Sequence, residues 1–150
     1  MGRFYTLQVN ANFTLANDIF QLEAATDKPI YIHSVEFGQT SDLGDINAEG
    51  LKVLFKNRIT AAVTDASGEF AVDKNDTAFS GNANVNQTAV TTGEAVIYAV
   101  PWNTAIPYLK VWTPEFRPFI IPGDAFTVNL NEAPGDSIRI LGTLEFEEMG

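Results

Sequence analysis

Phe126-Thr127-Val128-Asn129-Leu130 and, eight residues on, Ile138-Arg139-Ile140-Leu141-Gly142-Thr143-Leu144-Glu145-Phe146-Glu147 decide the class of fold. In the first stretch Phe126, Val128 and Leu130 alternate with Thr127 and Asn129. In the second, Ile138, Ile140, Gly142, Leu144 and Phe146 alternate with Arg139, Leu141, Thr143, Glu145 and Glu147. A period of two marks a half-buried strand, because successive side chains point to opposite faces. The intervening Asn131-Glu-Ala-Pro134-Gly135-Asp136 has turn composition, since proline presets its φ and glycine accepts a positive one. The two strands read as an antiparallel hairpin with a long loop. The rest of the chain must supply strands to cover its apolar face.

Moving toward the N-terminus, Phe116 to Ile121 leads into the turn Pro122-Gly123-Asp124. Ile106 to Trp112 reads as a strand with Tyr108 and Trp112 on one face and Leu109 and Val111 on the other, and Pro107 puts its start at an edge. Ala95 to Val100 is an unbroken apolar run between Gly93 and Pro101, which predicts a strand buried on both faces. Thr64 to Gly93 loses the pattern in Ala, Asn, Asp, Thr, Ser and Gly. So long a stretch without structure is uncommon in a compact domain. It is expected to be an excursion with a short strand or two, Glu69–Val72 first among them, draped over one end of the sheets.

Leu51, Val53 and Phe55 form a strand with Lys52 and Lys56 on its outer face, and Ile59 to Val63 continue it or pair with it. In Ile30 to Gln39 the apolar phase changes between Ile32 and Val35, which predicts a bulge near His33-Ser34, since one extra residue flips the faces. Residues 18–25 place Phe20, Leu22 and Ala24 inward and Gln21 and Glu23 outward. Residues 3–10 alternate Tyr5, Leu7 and Val9 against Phe4, Thr6 and Gln8, with an aromatic on each face. Residues 1–16 are therefore either an arm covered by a neighbouring subunit or an edge strand of the same domain. Helical spacing is not sustained anywhere, though Thr40 to Gly50 has room for one turn. About eight core strands plus the N-terminal arm predict an all-β, two-sheet antiparallel sandwich, jelly-roll-like, with residues 17–150 as one domain. The competing immunoglobulin-like sandwich lacks its Cys…Trp…Cys core here.

The 150 residues carry a net charge of −10 and no cysteine. That charge repels phosphate backbones and anionic bilayers, so neither nucleic acid nor a membrane is an expected partner. It suits plain solubility and docking on a basic surface equally. Missing cysteine removes disulfides, thiol catalysis and cysteine-based zinc sites. The N-terminus lacks the apolar run of a signal peptide, and no apolar stretch is long enough to span a bilayer. Three sequons, at Asn12, Asn75 and Asn86, read as chance matches without a secretion signal.

Candidate chemistry is sparse. His33 is the only histidine, too few for a histidine-rich metal site, and Ser34 beside it should point to the opposite face of the strand. Asp42, Asp45, Asn47 and Glu49 offer oxygen ligands of the kind calcium takes, but out of EF-hand register, and Asp73 to Asp76 is a weaker cluster. Glu115, Glu145 and Glu147 match a glycosidase pair in number only. No catalytic residue, cofactor or metal is expected. Trp102 and Trp112 near loops fit packing or an interface better than a sugar platform.

The segment Trp112-Thr-Pro114-Glu115-Phe-Arg117-Pro118-Phe-Ile-Ile121-Pro122-Gly123-Asp124, with Phe126 to Leu130 and the closing Leu144-Glu-Phe146-Glu147-Glu148, resembles the C-terminal half of small all-β virion proteins of tailed bacteriophages. These are jelly-roll-like capsid decoration or cement proteins, often trimeric. The resemblance covers about the last 40 residues, with looser agreement over 18–39. It implies a structural, non-enzymatic protein without cofactor, a homotrimer on the shell of the major capsid protein, made in the host cytoplasm and resident on the virion. Phe4, Tyr5, Leu7, Val9, Trp102 and Trp112 are then the candidate interface residues. A carbohydrate-binding or receptor-binding module using Trp102, Trp112 and the long loop is the alternative.

Overall fold

A computed structural model describes residues 2–41, 49–66 and 68–150. Within them the chain forms eleven strands and no helix: β1 (Arg3–Phe13), β2 (Asn17–Glu23), β3 (Ile30–Gln39), β4 (Gly50–Ile59), β5 (Glu69–Ala71), β6 (Asn82–Thr88), β7 (Ala95–Asn103), β8 (Tyr108–Val111), β9 (Phe119–Ile120), β10 (Ala125–Leu130) and β11 (Ile138–Glu148). The front sheet runs β5-β1-β11-β3-β8, with β9 also on β3. The back sheet runs β6-β2-β10-β4-β7. All pairings are antiparallel. Without β5, β6 and β9, the eight remaining strands are ordered β1-β11-β3-β8 against β2-β10-β4-β7. This is the two-sheet, double Greek-key order of a jelly roll.

The core lies between the sheets, where the inward half of each alternating strand meets its counterpart. Tyr5, Phe37, Phe55, Phe126 and Phe146 are fully buried there. Tyr5 stacks on Phe146 with centroids 5.5 Å apart, and Phe55 meets Trp112 edge-on at 5.9 Å. Gly142, opposite Phe37, has no room for a side chain: a Cβ would stand 2.4 Å from the Glu36 carbonyl oxygen.

Two expectations change, and two are decided among the readings offered. First, β10 and β11 are not a hairpin. They lie in different sheets, and residues 131–137 cross between them. All six residues of β10 are buried, because β2 and β4 flank it and the segment 88–94 lies over its outer face. Second, the apolar run 95–100 is not buried on both faces. β7 is the outermost strand of the back sheet; Tyr98 turns toward the core, while Val96, Ile97 and Ala99 are exposed. Third, residues 3–13 are not a detached arm but a full strand, paired along its length with β11 and over Tyr5–Leu7 with β5. The two aromatics are both accommodated within the chain, Tyr5 in the core and Phe4 outside against the His33 ring at 5.2 Å. Fourth, the excursion 64–93 holds the short strand expected at Glu69–Val72, as β5, and a second strand, β6; they add to the two sheets beside β1 and β2 and lie along that side of the sandwich.

The bulge near His33-Ser34 is present. On β3, Ser34 faces Glu145 and Ile32 faces Phe146, leaving His33 as the extra residue.

Candidate functional site

Three places carry side chains that the core does not need. The first is the open side of the sandwich, where β7 ends the back sheet and β8 ends the front one. Along β8, Tyr108 turns inward onto Phe37 and Phe55, so Leu109 and Val111 must face out. Leu109 is 61% exposed. On β7, Val96 and Ile97 are exposed, and a shallow apolar groove of about 360 Å³ runs between Ala99, Pro101 and Leu51. The following loop exposes Phe116, Phe119 and Ile121. Together with Ile106, residues 95–121 supply eight of the thirteen exposed large apolar side chains. The same residues carry only Lys110, Glu115 and Arg117 as charges, a balance of +1 in a chain of −10. Lys110 lies over the Tyr98 and Trp112 rings, 5.4 and 5.9 Å from their centroids. Among the described residues each of β7 and β8 has a sheet neighbour on one side only, which leaves its other backbone edge open to a strand.

The second place is the outer face of the front sheet around the bulge. There the extra residue brings His33 and Ser34 to the same face, against the expectation that they point apart. His33 Nε2 lies 3.1 Å from Glu147 Oε2, and the Ser34 hydroxyl donates to Glu145. Arg117 reaches in from the loop after β8, 3.7 Å from Glu147 and 3.3 Å from the His33 ring, over the Tyr31 ring. Serine and histidine thus engage different carboxylates, which is not the serine–histidine–carboxylate relay of a nucleophile. Beside them is a cavity of about 260 Å³ with Phe4, Val72, His33 and Glu145 around it. Its floor is the Tyr5–Phe146 rung, whose side chains point away into the core.

The third place is a buried polar cluster on the outer face of the back sheet. Asp18 is fully buried and accepts from the Asn129 amide at 2.8 Å, the Gln21 amide at 2.8 Å and the Val90 backbone N–H at 3.1 Å. Burial pushes its carboxyl above the usual aspartate value, and these three donors pull it partly back. Lys56, also buried, donates to Glu94 at 2.8 Å. The cluster fastens the segment 88–94 to the sheet, with Gln21 donating to Thr88 O and Thr60 N–H to Thr92 O. Asp18, Gln21, Asn129, Lys56 and Glu94 are partnered in this way, while the buried Thr127 hydroxyl, opposite Gln21 and Lys56 in the sheet, has no hydrogen-bond partner among the described residues.

The structure brings together few of the residues singled out from the sequence. Tyr5, Leu7, Val9, Trp102 and Trp112 are core residues, and only Phe4 among the six interface candidates stands on the surface. Trp102 donates its indole N–H to Ile106 O and lies edge-on to Phe37, so neither tryptophan offers a face to a sugar. The calcium candidates Asp42, Asp45 and Asn47 lie outside the described residues; Glu49 accepts from Gly135 N–H at 2.9 Å. Asp73 accepts from Asn75 N–H within its own turn. Glu115 is fully exposed, and its carboxyl is held below the usual value by backbone and Thr113 hydrogen bonds. No group of three or more histidine, cysteine, aspartate or glutamate side chains able to hold a metal occurs among the described residues. Sequence reasoning missed Asp18 and Arg117, whose partners lie far along the chain. The one available signal was an aspartate at the head of an otherwise apolar strand.

Compared with protein-family models, with curated proteins and with solved structures, the chain gave no match.

Proposed function

We propose that the chain is a structural subunit of a bacteriophage virion, a homotrimer that decorates or cements the capsid and catalyses no reaction. The observation that carries the subunit part is the open edge. Eight large apolar side chains exposed within 27 residues, on a strongly acidic chain, call for a protein surface to cover them. Glu115 is the one carboxylate within that stretch, with Glu36 of β3 opposite Leu109, so a second copy meets less repulsion there than an evenly acidic surface would impose. Free backbone edges on β7 and β8 add the option of strand pairing between copies. The virion part rests on the C-terminal resemblance and on the jelly-roll order, an architecture common among capsid proteins but not confined to them.

The contact surface in this proposal differs from the one the sequence pointed to. Val96, Ile97, Leu109 and Val111 replace Tyr5, Leu7, Val9, Trp102 and Trp112. In this reading the protein is made in the host cytoplasm and resides on the capsid exterior. Mixing the purified protein with undecorated phage shells and sedimenting them tests it. Saturable, stoichiometric co-sedimentation is the expected result. Absence of co-sedimentation across shells of several tailed phages would count against the virion role.

A further inference from the structure

On the outer face of the front sheet two neighbouring rows of side chains cross β1, β11 and β3. One row holds Phe4 and Glu147, and the other Thr6, Glu145 and Ser34. Their carboxylates have different fates. Glu147 is compensated by Arg117 and touches His33. Glu145 accepts from the Ser34 hydroxyl and has no ion pair among the described residues. Glu145 is exposed and stands at the rim of the 260 Å³ cavity beside β1, with its carboxylate at the part-buried hydrogen bond to Ser34; the Phe4 ring, Val72 and His33 also line the cavity. Phe4 is 47% exposed, and Phe70 and Val72 of the adjoining excursion are exposed too, so the mouth of the cavity is apolar. A carboxylate without a counter-ion at the rim of an apolar cavity, beside an aromatic ring, is complementary to a cation on an alkyl stem.

We infer that this cavity is a binding site for a basic side chain, arginine or lysine, presented by a partner protein. The cation would meet the Glu145 carboxylate, and its methylene stem would lie along Phe4 and Val72. A planar guanidinium fits better than an ammonium, because it can donate to the carboxylate and lie against the ring together. The site lies on β1 and β11, whereas the apolar edge lies on β7 and β8, so one copy can engage both. The identification of the partner as a capsid subunit rests on the proposed function; the preference for a guanidinium does not.

The test uses the isolated protein and n-butylguanidinium as probe, followed by two-dimensional NMR, with 1-butanol as the uncharged control. The expected result is a saturable set of shifts at Phe4, Val72 and Glu145 for the guanidinium and none for the alcohol. Glu145→Gln keeps an acceptor for Ser34 but no charge, and is expected to weaken binding about threefold. Phe4→Leu is expected to weaken it by a smaller factor. Shifts that are absent, that map elsewhere, or that survive unchanged in Glu145→Gln would overturn the assignment. Because the probe is a small molecule, failure here leaves the shell-sedimentation result standing, and failure there leaves this one standing.

Discussion

The two long sides of the sandwich are built in opposite ways. On one side the excursion adds β5 to the front sheet and β6 to the back sheet, so β1 and β2 are covered. β6 is Asn-Ala-Asn-Val-Asn-Gln-Thr, a strand rich in amides and poor in apolar residues. Phe79 fastens that side from within, edge-on to Phe146 at 5.0 Å and tilted on Tyr5 at 5.6 Å. On the other side, β7 and β8 expose Val96, Ile97, Leu109 and Val111, and no described segment crosses them. A solvent-facing edge is ordinarily protected by polar residues or a covering segment. The chain protects one edge in that manner and leaves the other apolar, which is the pattern of a surface kept for a partner.

That contrast can be broken or sharpened by substitution. The largest effect is expected at the closed side: Phe79→Ala removes the ring between Tyr5 and Phe146 and should lower stability by about 3–5 kcal/mol in a denaturant titration, with the association state of the folded fraction unchanged. Asp18→Asn comes next. An amide in place of the carboxylate turns one donor toward another within the buried cluster, and about 1–3 kcal/mol should be lost. Faster hydrogen exchange over residues 88–94 should accompany it.

At the open side the order of effects reverses. Leu109→Asp alters no core contact, so its folding stability should stay within about 0.5 kcal/mol of the parent, while self-association falls. Equal loss of stability and association would remove the distinction between the two edges.

The smallest effect concerns pH. The folded-state value of Asp18 is raised above the ordinary 3.8. Between those two values the folded chain binds more protons than the unfolded one, so stability from this group rises as pH falls through the raised value. Above it, both states are ionised and the penalty of the buried charge is present in full. The Asp18→Asn variant lacks this gain, so its stability curve and that of the parent, measured from neutral pH downward, should diverge. A gap that narrows on acidification would mean that the hydrogen bonds to Asp18 outweigh its burial.

The class of fold was legible because nearly every strand has one inward face, and period two shows this directly in Phe126–Leu130 and Ile138–Glu147. The bulge at His33 was legible for the same reason, as a change of phase. Sheet membership was not. The loop 131–137 has turn composition whether it joins neighbours in one sheet or crosses between two, and only the burial of β10 on both faces separates the cases. Ala95–Val100 misled in the opposite sense: a run apolar on both faces reads as buried, but β7 is the outermost strand of its sheet and its outer face is exposed. The polar β6 had almost no apolar signal, since it borrows its core contacts from β2 and β1. Of the candidate sites, Phe4 and Glu145 could be named one at a time, but a cavity formed by residues 4, 33, 72 and 145 has no signature in a linear sequence.

The most direct measurement is the solution mass by light scattering across a range of concentrations, for the parent and for a Val96→Asp, Leu109→Asp double variant. If the open edge joins subunits, the parent reaches three times its 16.4 kDa chain mass, and the folded double variant stays at the mass of one chain. A parent that remains at one chain mass up to the highest concentration, or a double variant that associates as the parent does, would contradict the assignment of that edge.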